Sequence, residues 1–193
     1  MTLARGLRRL SDGLVVLERL LLMALIGAVA TLVVLNVSFR AFRVTLAWAD
    51  ELAILSMTLT AFVGASLMLR ARSDPAMKIL HEVAPPALLR TLRIAASALS
   101  LVFGLLLAWL CWRWFDLAGL ASAGFDIGAF EMRQFNFLYT EVTPVLGLPS
   151  WWFYLVMPWF ALTLSIHALT NLAEDLGLLA PAANPSGLNS GEG

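Results

Sequence analysis

Few residues of this chain could do chemistry, and they are scattered. Its 193 residues include one cysteine, Cys111, and two histidines, His81 and His167. A single cysteine excludes an intrachain disulfide and a cysteine-based zinc site. The two histidines are not placed to face each other at one depth, so neither a haem nor a metal is expected, and no cofactor is assigned. The carboxylates say more. Glu18, beside Arg19, lies near the start of a long apolar run. There the acid could snorkel to the surface, pair with Arg19 or with another chain, or serve as a proton site. Asp50 and Glu51 open a second apolar run, after Arg40, Arg43 and Trp48. At a helix N-terminus they would cap free N–H groups and complement the dipole, or they would form an interfacial ion-pair cluster that anchors a partner. No phosphate-binding glycine loop, nucleophile–base pair or metal-ligand spacing is legible. The chain is therefore read as a non-enzyme without catalytic residues.

These residues are set in a chain that water cannot solvate as a globule. Hydrophobic residues make up 60% of it and charged residues 13%, against about 45–50% and 25% in soluble domains. Thirteen basic residues balance thirteen acidic ones, so no charge excess points to nucleic acid. What remains is an integral protein whose first partner is the lipid bilayer.

A membrane helix needs about 20 mostly apolar residues. Four segments qualify, at about 14–37, 52–69, 94–112 and 151–169, and the second could begin nearer Leu46. The first resembles a signal peptide in its basic flank and its Ala28-Val29-Ala30. Its apolar run continues past that point, too long for a signal sequence, so it is read as an uncleaved span. The expected fold is all-α, with residues 1–176 as a four-span membrane domain and 177–193 as a short polar tail. Basic residues set the orientation. Arg5, Arg8, Arg9, Arg19, Arg70, Arg72, Lys78, Arg90 and Arg93 fall on one side, against Arg40, Arg43, Arg113 and Arg133 on the other. The richer side should be cytoplasmic, with both termini. All seven tryptophans then lie near the outer interface, as an aromatic belt or a docking rim.

Ala96, Ser100, Gly104 and Ala108 form a small-residue ridge at spacing four, and Ser56, Thr60 and Gly64 a weaker one. Such ridges let helices approach closely, inside this chain or between chains. Pro158 should kink or break the fourth span. The connection 113–150 is long and apolar, with Phe115, Phe125, Phe130, Phe135 and Phe137. It should form one or two amphipathic helices in the interface plane, or pack on a neighbour. The shorter 70–93 connection, with Met77, Ile79, Leu80 and Val83, should behave likewise until Pro85-Pro86 ends it.

Two stretches carry a resemblance. One is Arg40…Trp48-Ala49-Asp50-Glu51, followed by an apolar span ending Phe62-Val63-Gly64-Ala65-Ser66…Arg70. The other is Thr143-Pro144-Val145-Leu146-Gly147-Leu148-Pro149-Ser150-Trp151-Trp152…Met157-Pro158. Together with four spans and inside termini, they resemble the small membrane subunit of tripartite ATP-independent periplasmic (TRAP) transporters, the DctQ type, over about Leu14 to Leu176. The His-Ile pair that often follows the arginine in that family is absent here. The resemblance implies a scaffold in the bacterial inner membrane, serving sodium-driven import of organic acids. Its implied partners are a large DctM-like membrane subunit, which holds the substrate and moves as an elevator, and a DctP-like periplasmic binding protein. Arg40, Arg43, Trp48, Asp50, Glu51 and Arg70 become candidate partner contacts, and Glu18 with Arg19 a candidate membrane ion pair. The other readings the residues leave open are a self-sufficient, proton-coupled homodimeric antiporter and a membrane anchor of another complex.

Overall fold

The computed structural model describes residues 2–72 and 85–180. They form α1 (Thr2–Ala41), α2 (Ala47–Ala71), α3 (Pro86–Phe115), α4 (Leu117–Ser122), α5 (Ile127–Gln134), α6 (Trp151–Tyr154) and α7 (Val156–Asp175). Four stretches are long and apolar enough to cross a membrane: α1, α2, α3 running on into α4, and α6 with α7. They overlap the four expected spans and extend beyond them. The second starts at Ala47, a turn earlier than its apolar core. The apolar face expected around Met77, Ile79, Leu80 and Val83, His81, and the tail beyond Ala180 all lie outside the described residues.

The boundaries have local causes. Pro86 sits at the first helical position of α3, where its missing N–H removes no bond and its fixed φ suits the helix. Asp116 and Asp126 cap α4 and α5 by accepting from Gly119 N and Ala129 N, as short polar side chains do at helix starts. The break between α6 and α7 falls at Leu155, three residues before Pro158. A proline cannot donate to the carbonyl four residues back and its ring crowds that carbonyl, which here belongs to Tyr154. The expected effect of Pro158 is thus present, displaced by one turn.

The helix α7 is the centre of the bundle. It packs on α3, α2 and α1, and α1 packs chiefly on α2. Burial follows that order: 39% of the apolar window of the α6–α7 stretch is inside the protein, against 6% for α1. α1 and α3 present Val16, Leu20, Val34, Leu99, Val102 and Leu105 outward, a surface suited to lipid. With 40 residues, α1 is about 60 Å long, twice the hydrocarbon thickness of about 30 Å.

The α3–α7 contact depends on Gly104. A Cβ there would lie 2.5 Å from Ser165 Oγ and 3.2 Å from Ser165 N. The small-residue ridge is therefore used inside the molecule, with a shift in register. Gly104 is buried and Ser100 and Ala108 are half-buried, but Ala96 is exposed and its neighbour Ser97 faces inward. In the second ridge, a Cβ on Gly64 would lie 3.7 Å from Leu22 Cδ1 of α1, an ordinary contact. The apolar 113–150 connection contains the two short helices α4 and α5. Phe130 of α5 and Leu138 are buried, while Phe125 and Phe135 stand 71% and 79% exposed.

Candidate functional site

The polar residues of the spans gather at the two ends of α2. The larger cluster lies at its C-terminal end. Arg70 is wholly buried. Its Nη1 donates to Asn171 Oδ1 at 2.7 Å and its Nη2 to Glu174 Oε1 at 3.0 Å. Asp12 of α1 adds an ion pair at 3.5 Å. Arg72 pairs with Asp175 at 2.6 Å and donates to the Asn171 carbonyl at 2.9 Å. Asn171 Nδ2 donates in turn to the Leu69 carbonyl at 2.8 Å, one of those left open at the end of α2. From α3, Ser97 donates to Asp175 Oδ2 at 2.8 Å. All four long helices are thus tied at this end. A buried charge is tolerated only when paired and hydrogen-bonded; both Nη atoms of Arg70 are so held, while its buried Nε has no hydrogen-bond partner among the described residues.

A second buried group lies nearby. His167 Nε2 is 3.2 Å from Glu18 Oε2, and His167 Nδ1 is 2.8 Å from Ser11 Oγ. With its proton on Nε2 the ring donates to Glu18 and accepts from Ser11. All three side chains are fully buried. Glu18 thus reaches across to α7; Arg19, the expected partner beside it, is half-buried. Ser11, His167 and Glu18 have the order of a nucleophile, a base and an orienting acid, a combination the sequence reading did not find. The serine is sealed inside α1 and α7, and the backbone N–H groups around it are spent on helix bonds. These contacts clasp α1 to α7.

The other end of α2 holds the Asp50 cluster. Asp50 accepts from Arg40 Nη2 at 2.9 Å and from Asn36 Nδ2, joining α2 to the last turns of α1. Glu51 accepts from Val145 N at 3.1 Å and Leu146 N at 2.7 Å. Those amides form the tip of a small hairpin. Thr143 N donates to Leu148 O at 2.8 Å and Gly147 N to Thr143 O at 3.0 Å, with an isolated bridge between Val142 and Pro149. The turn requires φ +64° at Gly147, where glycine carries no steric cost. The two stretches that carry the family resemblance therefore touch. Nearby, Tyr139 donates to the Phe115 carbonyl at 2.6 Å. Burial, and secondarily the Asp116 charge, push its hydroxyl pKa upward, so it stays a donor.

Of the candidate contact residues, Arg40, Asp50 and Glu51 meet at this end. Trp48 is 42% exposed, and Arg43 is exposed in a left-handed conformation (φ 63°). Arg70 lies at the opposite end, in the interior. The sequence reading missed Ser11, Asp12, Asn36, Arg72, Ser97, Asn171, Glu174 and Asp175. A signal was there: Thr163, His167, Asn171 and Glu174 recur at spacings of four and three on an apolar helix. Such a stripe must face a protein interior.

Four long apolar helices bound by buried polar networks define a multi-pass membrane protein. The family model for tripartite ATP-independent periplasmic transporters, DctQ component, matches residues 29–178. The chain belongs to that family, the small component of TRAP transporters. The matched region contains Arg70, His167 and Glu174 but not Ser11, Asp12 or Glu18. No curated protein and no solved structure matches the chain.

Proposed function

We propose that this chain is the static scaffold of a sodium-driven, binding-protein-dependent secondary transporter that imports organic acids such as carboxylates. It sits in the inner membrane with both termini in the cytoplasm, steadies the large elevator subunit and helps the periplasmic binding protein dock. The short helices α4 and α5 lie in the interface plane. One observation carries the scaffold role: the buried network of Arg70, Asn171, Glu174, Asp175 and Ser97, which ties all four long helices at one end. An elevator needs a part that stays put while another slides. A bundle whose buried charges are spent on its own helices suits the fixed part.

Affinity capture of the chain from native membranes in mild detergent, followed by mass spectrometry, tests this. A stoichiometric many-span partner is expected. Recovery of the chain alone or as a homodimer would sink the proposal. One observation keeps the antiporter in view: Glu18 is a buried carboxylate, and its Oε1 has no hydrogen-bond partner among the described residues. That reading requires transport by this chain alone in liposomes, abolished by Glu18→Gln. The scaffold reading expects no such transport, and an unchanged sodium stoichiometry in a complex carrying Glu18→Gln.

A further inference from the structure

A polar cleft of about 340 Å³ opens at the end of α3, lined by Trp112, Arg113, Asp116, Gln134 and Asn136. Neither polar cluster uses it. Part of its wall is fixed by backbone bonds. Asp116 Oδ1 accepts from Gly119 N at 3.0 Å. Asn136 donates to the Trp114 carbonyl at 2.7 Å and accepts from Leu138 N at 3.1 Å. The cleft is therefore shaped before a ligand arrives, which spares a ligand the cost of ordering it. Two other groups are uncommitted. Among the described residues the Arg113 guanidinium makes no hydrogen bond or ion pair and only lies over the Trp109 ring, 5.5 Å from its centroid. The Gln134 amide has no partner among them either.

Arg113 directly follows the apolar run that ends at Trp112, so it sits where hydrocarbon gives way to headgroups. Along α3 below it, Leu106, Trp109, Leu110 and Trp112 are all exposed. An acyl chain can lie on that strip while its headgroup enters the cleft. A guanidinium presents paired N–H donors that match a phosphate. The Asp116 carboxylate in the same cleft can accept from an ammonium. The geometry points to a binding site for a zwitterionic phospholipid headgroup with a primary ammonium, its phosphate on Arg113 and its ammonium on Asp116. Choline, without N–H donors, loses the second contact. An anionic headgroup leaves Asp116 facing a like charge, and free phosphate lacks the chains. This inference needs only that the chain spans a bilayer, and stands apart from the scaffold proposal.

The test uses the full chain, delipidated in detergent and titrated with short-chain phosphatidylethanolamine, phosphatidylcholine, phosphatidylglycerol or inorganic phosphate, with binding read by native mass spectrometry. Phosphatidylethanolamine should bind about tenfold tighter than phosphatidylcholine, since the difference is one charge-assisted contact. Arg113→Gln should weaken it about tenfold, and Arg113→Lys, which keeps the charge without the fork, should fall between. Arg133→Gln, an exposed arginine outside the cleft, should change nothing. Equal binding by Arg113→Gln and the unaltered chain overturns the inference. So does a preference for phosphatidylglycerol, or for inorganic phosphate over any lipid.

Discussion

The two ends of α2 solve one problem in different solvents. At both ends an arginine meets a carboxylate across helices. Arg40 and Asp50 do so with side chains 58% and 43% exposed, Arg70 and Glu174 with side chains 0% and 5% exposed. Water supports the first pair whether or not it forms. The second has no water to return to, so Arg70 and Glu174 depend on each other and on Asn171, Asp12 and Arg72 around them. The same bond therefore positions a surface at one end and holds the bundle together at the other.

The largest effect should come from Arg70. Arg70→Met leaves Asn171 Oδ1 without its donor and Glu174 with only the longer Arg72 pair at 3.5 Å, a loss of about 3–5 kcal/mol. Little folded chain should survive extraction, as measured by thermal unfolding in detergent. An unchanged melting temperature would remove the basis of the comparison. Gly104→Val forces a side chain against the Ser165 backbone and should cost about 1–3 kcal/mol, with Gly104→Ala milder. Glu18→Leu strips a buried acceptor from His167 and should cost about 1–3 kcal/mol, while Glu18→Gln keeps an acceptor and costs less. The same melts read both pairs, and equal losses for Glu18→Leu and Glu18→Gln would contradict the clasp.

At the other end the effects shrink. Glu51→Gln weakens two charge-assisted bonds to the hairpin tip by about 1 kcal/mol together. Hydrogen exchange at Val145 and Leu146 should quicken while the α7 amides stay protected. If both sets quicken together, the hairpin is part of the core and the contrast between the ends is wrong. Arg40→Gln should move the melting temperature least, below about 1 kcal/mol. A loss as large as that of Arg70→Met would reverse the comparison.

The fold was legible because bilayer physics is strict. Runs such as Leu20–Leu35 and Leu99–Leu110 can be satisfied only by helices whose backbone bonds are internal. Pro86 and Pro158 announced a start and a break, though the break at Leu155 lies a turn before its proline. The Asp50 end was partly legible, since Arg40, Asp50 and Glu51 are close in sequence. The Arg70 end was not. Arg70 was read as a partner contact, and its acceptors Asn171 and Glu174 are a hundred residues away.

By itself, then, the sequence determined that this chain lives in a membrane, how many times its helices can cross, and which family it resembles. Apolar length and composition are local properties, and they are enough for that. Only the tertiary structure decided that Arg70 meets Glu174, that His167 closes on Glu18 and Ser11, and that Glu51 grips the Val145 turn. Each of those contacts exists because two distant segments reach one depth on facing surfaces. Helical period fixes a residue's face, but only packing fixes what stands opposite it.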